Sequence, residues 1–225
     1  MIITIDGIDG SGKGTQAQKL KEYFLKRNFL CTVVSFPIYS SVFGKMISQY
    51  LNGEYGLLYS VNPKIPSLLY AQDRSLFFHN YNYNSNRILI IDRYVYSNFA
   101  HQCSKLPPGK RKTLMKWIEN LEYNVNKIPK PNISFILDLD IQNSIENVSK
   151  KKKRDYTNLS HDLHESNFEY LSETRKIFLS LSNNENTHLI ECDSNGKLKN
   201  EDDISQAIIN IIEKNLSFEL TKTEF

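Results

Sequence analysis

Short, apolar, β-branched runs alternate along this chain with longer stretches of helical periodicity. Five runs, Ile2–Asp6, Cys31–Phe36, Arg87–Asp92, Ile133–Leu139 and Thr187–Cys192, predict strands. They are mostly continuous rather than alternating, as expected when helices cover both faces of a parallel sheet. Helices are predicted over Lys13–Arg27, Val42–Leu51, Ser67–Phe78, Lys110–Asn126, Asn143–Ser149, Glu165–Ser182 and Glu201–Lys214, with one more beginning after Arg87–Asp92. In the first of these, Ala17, Leu20, Phe24 and Leu25 share one side. Asp202 and Asp203 suit the dipole at the start of the last helix. Polar stretches at Asn80–Asn86, Lys105–Lys112 and Asn183–Asn186 read as loops. The expected class is α/β: three layers, with a five-stranded parallel sheet and helices on both faces. No repeat or boundary divides the pattern. We expect one domain over 1–215 and a tail over 216–225.

Composition narrows the function. The chain has 225 residues, long enough to bury a real core, and its 12% aromatic content disfavours intrinsic disorder. Lys+Arg 28 against Asp+Glu 25 gives a net charge of +3, weak support for a nucleic-acid binder. No run approaches a membrane span, and no secretory leader is visible at Met1, so a cytoplasmic location is expected. The three cysteines, Cys31, Cys103 and Cys192, are far apart and lack metal-ligand spacing. They read as reduced thiols.

The strongest chemical signal is Gly7-Ile8-Asp9-Gly10-Ser11-Gly12-Lys13-Gly14-Thr15, which follows a strand and opens a helix. Small residues let backbone N–H groups crowd around phosphate oxygens, and the helix N-terminus adds partial positive charge. Lys13 then reaches the β/γ-phosphates of ATP. The residue after this lysine usually supplies a hydroxyl to Mg²⁺. Here it is Gly14, so Mg²⁺ is expected to be held through waters, with Thr15 bonding phosphate. Arg87–Asp92 ends in Asp92-Arg93-Tyr94. The carboxyl end of a parallel strand faces the ligand crevice. Asp92 is placed to orient Mg²⁺ waters and Arg93 to neutralise a phosphate. A plain salt bridge at the strand end is the alternative.

Taken in order, the motifs resemble the thymidylate kinase family. They are the Gly7-x-Asp9-Gly10 form of the loop, Phe36-Pro37, Tyr70-Ala71-Gln72-Asp73-Arg74, Asp92-Arg93-Tyr94 with Ser97, and Pro129-Lys130-Pro131. Asn52-Gly53-Glu54-Tyr55-Gly56, His101-Gln102 and Asp162-Leu163-His164-Glu165 resemble a bacterial, clostridial-like branch. The resemblance implies a three-layer P-loop kinase fold with a mobile lid at about 150–164, and phosphorylation of dTMP by ATP. It implies that Tyr70 stacks on thymine and Arg74 donates to the base carbonyl, which disfavours dCMP. Asp9 would accept from the sugar hydroxyl, and Arg93 would bridge the acceptor phosphate and the transferring group. Phe36 and Pro37 would shape the nucleoside pocket, with Ser97, Asn98, His101 and Gln102 beside it, and the Tyr39 hydroxyl would bond the acceptor phosphate without supplying charge. Tyr39 stands where the family often has Arg, so Lys45 or a lid cation is asked to supply the charge. A homodimer is expected by resemblance alone.

Lys150-Lys151-Lys152-Lys153-Arg154 sits where such kinases carry the lid. A charge run is commonly a solvated face. On the functional reading Arg154, then Lys153, closes over the triphosphate. His161 and His164 lack zinc spacing, and Glu165 or Phe168 would lie near the sugar. Glu22, Glu119 and Glu122 read as solvated helix charges, and Trp117 as packing. Two rivals stay open at this point: another nucleoside monophosphate kinase, for AMP or dUMP, and a catalytically silent nucleotide-binding protein.

Overall fold

The structure is a computed structural model and describes residues 1–81, 87–150, 167–194 and 196–215. Five parallel strands form the sheet: β1 (Ile2–Gly7), β2 (Cys31–Ser35), β3 (Ile88–Asp92), β4 (Ile133–Asp138) and β5 (Thr187–Glu191), in the order β2-β3-β1-β4-β5. All five were legible as apolar runs, to within a residue or so at each end. Their side chains part by the two-residue period of a strand. Ile3 and Ile5 of β1, Ile88 and Ile90 of β3, and Ile133, Phe135 and Leu137 of β4 join one core. Ile2, Leu89, Ile91 and Ile136 join the other.

The first core lies under α1 (Lys13–Leu25) and α8 (Glu201–Asn215). The second lies under α4 (Val95–Cys103), α5 (Pro108–Glu119) and α7 (Phe168–Leu181). This is the expected three-layer arrangement. Helices α2 (Val42–Leu51) and α3 (Lys64–Asn80) pack on each other through Ile47, Tyr50, Leu51 and Leu69. Helix α6 (Ile141–Lys150) follows β4. A short antiparallel pair, β6 (Asp193–Ser194) and β7 (Lys197–Leu198), is an addition that the apolar pattern did not predict.

Several boundaries differ from expectation for a stated reason. Helix α3 begins at Lys64, before Pro66, because a first-turn proline gives up an N–H that has no partner in the helix. The loop expected over Lys105–Lys112 is helical from Pro108, the first residue of α5. The helix expected to run on to Asn126 changes to π winding over Asn120–Val125. Apart from Lys150, the expected lid, including Lys153 and Arg154, and the His161–Glu165 segment lie outside the described residues. Lys150 closes α6 and pairs with Glu146 at 3.5 Å. Phe168, the alternative to Glu165 for a place near the sugar, is 58% exposed at the start of α7.

Candidate active site

The turn after β1 is built from glycines that nothing else can replace. Gly7 (φ +148°) would bring a Cβ within 2.6 Å of the Leu137 carbonyl oxygen, and Gly10 (φ +76°) within 2.6 Å of that of Ser144. Gly12 caps α1 in the left-handed region. Helix α6 braces the loop from outside: Ser144 Oγ donates to the Asp9 carbonyl at 2.6 Å, and Asn147 Nδ2 to that of Gly10 at 3.0 Å. Lys13 is buried, its Nζ donating to the Ile8 carbonyl at 2.6 Å and to Ser11 Oγ at 3.4 Å.

One cleft joins this loop to the carboxyl ends of β2 and β3. Asp9, Gly10, Gly12, Lys13 and Gly14 line it on one side, and Phe36, Pro37, Tyr39, Tyr70, Arg74, Asp92, Arg93, Ser97, Asn98, His101 and Gln102 on the other. Residues far apart in sequence are thus gathered as the motifs predicted. Lys45 is not among them and is exposed on α2.

Arg93 occupies the left-handed region, at φ +69°, where a non-glycine residue is strained. This turns the chain sharply from β3 into α4. Its guanidinium pairs with the Asp9 carboxylate and lies 3.4 Å from His101 Nε2. Burial opposes its charge, but Asp9 and Asp92 outweigh burial and hold it protonated. Asp9 and Arg93, read from sequence as separate ligands, are therefore one unit. His101 Nδ1 lies 2.9 Å from the Tyr170 hydroxyl, which itself donates to the His101 carbonyl at 3.1 Å. Burial, then the Arg93 charge, push the imidazole down to about 3.

Arg74 is 1% exposed and forms a two-pronged pair with Glu122, with Nε donating to Oε2 at 3.1 Å. Glu122 is not the solvated charge that its sequence position suggested. It is 0% exposed, drawn inside together with Leu121 in the π segment, while Glu119 stays exposed as expected. Asn98 Nδ2 donates to Glu122 Oε1 at 2.9 Å and to the Ser67 carbonyl at 3.1 Å. That leaves Asn98 Oδ1 buried and without a partner among the described residues.

Sequence reasoning passed over Asp6, read only as the end of a strand. Its carboxylate is fully buried, and its Oδ1 accepts from the Tyr94 N–H (2.9 Å), the Ser97 N–H (3.0 Å) and Ser97 Oγ (2.6 Å). Asp6 thus caps α4 from another element. It takes the hydroxyl of Ser97, which sequence had given to the substrate. Burial raises the Asp6 pKa. Asp73 holds the Pro37 turn in the same manner, accepting from the Ile38 N–H at 2.7 Å and from Ser41 Oγ. The Phe36–Pro37 peptide is cis.

Asp92 offers a fit for Mg²⁺. Its Oδ1 is buried without a partner among the described residues, and Oδ2 would lie 3.4 Å from a Cβ at Gly14. A hard carboxylate beside the phosphate loop matches an ion that keeps most of its waters.

Comparison with known proteins now decides the family. The family model described as "Thymidylate kinase" matches residues 5–204. The chain belongs to the thymidylate kinase family. A probable thymidylate kinase of Methanosphaera stadtmanae is 33% identical over 186 residues, covering 80% of this chain and 83% of that one. A thymidylate kinase of Mycobacterium tuberculosis is 28% identical over 185 residues, covering 81% and 86%. Among solved structures, thymidylate kinase from Candida albicans superposes with a TM-score of 0.71 at 21% identity, covering 95% of this chain and 91% of that one. That likeness concerns the fold alone. In this family member, Ser11 and Thr15 belong to the loop and its helix but not to the cleft lining. Among the described residues no helix is long and apolar enough to cross a membrane.

Proposed function

We infer that the cleft is the transfer site of a thymidylate kinase: the chain moves the γ-phosphoryl group of ATP to dTMP, giving dTDP and ADP. One observation carries the assignment of roles. The anion-binding loop and a buried, polarity-defined edge (Arg74 and Asn98) open into the same cleft. The edge fits a pyrimidine imide. Arg74 keeps donors beyond those held by Glu122, and these suit a ring carbonyl. Asn98 Oδ1, its amide nitrogen already committed, suits the ring N–H. Cytosine would set an amine against Arg74 and a bare nitrogen against Asn98, leaving buried groups unpaired. Tyr70 supplies a flat face for stacking.

Catalysis on this reading is positioning and electrostatics. The acceptor is a phosphate whose second pKa lies near 6, so it attacks as a dianion and no side chain has to take a proton. Lys13 and the loop N–H groups grip the donor phosphates. Arg93, aimed by Asp9 and by its left-handed backbone, neutralises charge between donor and acceptor. Asp92 would hold Mg²⁺ through water, and the ion would supply further neutralisation at the phosphates. Arg154 or Lys153 adds the lid cation, and Asp9 also accepts from the sugar hydroxyl. Residues 1–215 act as one catalytic domain in the cytoplasm. The protein works as a homodimer, in keeping with Ile65 and Leu68, a turn apart on α3 and 49% and 43% exposed.

The test is ADP release measured across dTMP, dUMP, dCMP and AMP. We expect saturable turnover with dTMP and little with AMP. Equal rates for AMP and dTMP would contradict the imide edge. ATP binding with no dTMP-dependent turnover would leave only a nucleotide binder.

A further inference from the structure

Lys105 lies just beyond α4 and is absent from the cleft lining, yet it bridges two elements that build the cleft. Its Nζ donates to Gln102 Oε1 at 2.7 Å and to the hydroxyl of Tyr50, which is fully buried on α2. Gln102 is 0% exposed and lines the cleft, and its Nε2 has no partner among the described residues. An ammonium group carries donors only. The amide therefore has one acceptable orientation: turned over, it would set N–H₂ against N–H₃⁺. Asn98, one turn earlier, is fixed in the opposite sense, because Glu122 and the Ser67 carbonyl only accept. Two amides a turn apart on α4 thus present opposite polarity, an acceptor at Asn98 and a donor at Gln102. In each case a charge behind the cleft sets the sense, the buried Glu122 for Asn98 and the half-buried Lys105 for Gln102.

We propose that Lys105 is a positioning residue for nucleobase recognition, fixing Gln102 so that its amide N–H₂ donates to a ring carbonyl of the pyrimidine. The proposal rests on the assignment of this cleft to dTMP. A carbonyl next to an N–H is the imide edge of thymine, and an adjacent donor and acceptor match it. Released from Lys105, the amide would rotate and offer its oxygen to the carbonyl for part of the time.

Burial pushes the Lys105 ammonium down to about 7, so kinetics at about pH 6 keep it charged. Lys105→Met is expected to raise the KM for dTMP about tenfold, the scale of one lost buried hydrogen bond, with kcat and the KM for ATP within about twofold. Lys105→Arg, again donor-only, is expected to restore most of the loss. In a Gln102→Leu background, Lys105→Met should change the KM for dTMP no further, because its effect travels through the amide. Gln102→Glu is nearly isosteric and keeps its partner in Lys105, so it folds even if Lys105→Met does not. It turns an acceptor toward the base, and the KM for dTMP should rise at least about tenfold. An unchanged KM for dTMP in Gln102→Glu or in a folded Lys105→Met overturns the proposal. So does a Lys105→Met effect that persists in Gln102→Leu, or a fall in kcat with KM unmoved. Failure of the unmodified protein to phosphorylate dTMP would instead overturn the assignment of the cleft.

Discussion

His101 is held neutral by the two contacts of its ring. The Tyr170 hydroxyl spends its hydrogen on the His101 carbonyl, so its oxygen accepts from Nδ1–H. Nε2 is then a bare acceptor facing Arg93. A protonated ring would put two cations together in a buried place. With a folded pKa near 3, against 6.5 for the free side chain, the native protein binds fewer protons than the unfolded chain between those limits. Stability therefore rises with pH through that window and is lost on acidification. Between pH 6.5 and 4.5 this one group should cost roughly 2–3 kcal/mol. Urea unfolding at both pH values should show that loss largely removed in His101→Phe, and an equal acid sensitivity in the two proteins would count against a neutral ring. On the proposed transfer mechanism, Arg93 is the partner that matters for rate. Arg93→Ala should lower kcat by at least about 10²-fold, the scale of one lost charge-stabilising donor, and a near-normal rate would remove it from the transfer step. The meeting of Lys13, Asp92 and Arg93 in one cleft was legible because glycine spacing and a carboxylate at the end of a strand have few other uses. Glu122 was not legible, because nothing in an α-helical reading of its segment turns it inward.

Helix α4 joins strand chemistry to the cleft, and Asp6 decides where it starts. The helix has no capping side chain of its own at Tyr94, so its first N–H groups depend on a carboxylate from β1. A cap is worth about 1 kcal/mol, and each buried donor left unpaired costs a further 1–3 kcal/mol. Asp6→Ala should therefore destabilise the protein by about 3 kcal/mol, read as a shift in urea midpoint at unchanged slope. A change below about 0.5 kcal/mol, the range of ordinary surface substitutions, would show that α4 is held by its apolar face alone. The sequence announced the helix through its neighbours but not its cap, because the cap lies 88 residues away from Tyr94. The π winding of Asn120–Val125 was hidden for a related reason. It satisfies a tertiary need, the burial of Glu122 against Arg74 and Asn98, and leaves no mark on the spacing of apolar residues.

At the scale of the whole molecule, the strand order brings β1 and β3 side by side, so the phosphate loop after β1 and the Asp92–Arg93 turn after β3 share one edge. The apolar runs sufficed to predict a parallel sheet, but not which strands would be neighbours. Neighbourhood is set by the crossover helices, whose packing the pattern does not encode. The same topology makes the cleft a junction between α3, α4 and the loop rather than a feature of any one element. A ligand that fills it must therefore stabilise the fold as a unit. For a ligand that binds only the native state, 100 times its dissociation constant adds about 2.7 kcal/mol. For a chain of 225 residues, each kcal/mol moves the melting midpoint by about 2–4 °C. Saturating dTMP should thus raise Tm by roughly 5–10 °C. The same concentration of dCMP should raise it much less, since its ring meets Arg74 and Asn98 with the wrong polarity. If the two nucleotides gave equal shifts, the phosphate alone would be doing the binding, and the buried edge formed by α3 and α4 would have no part in selecting the base.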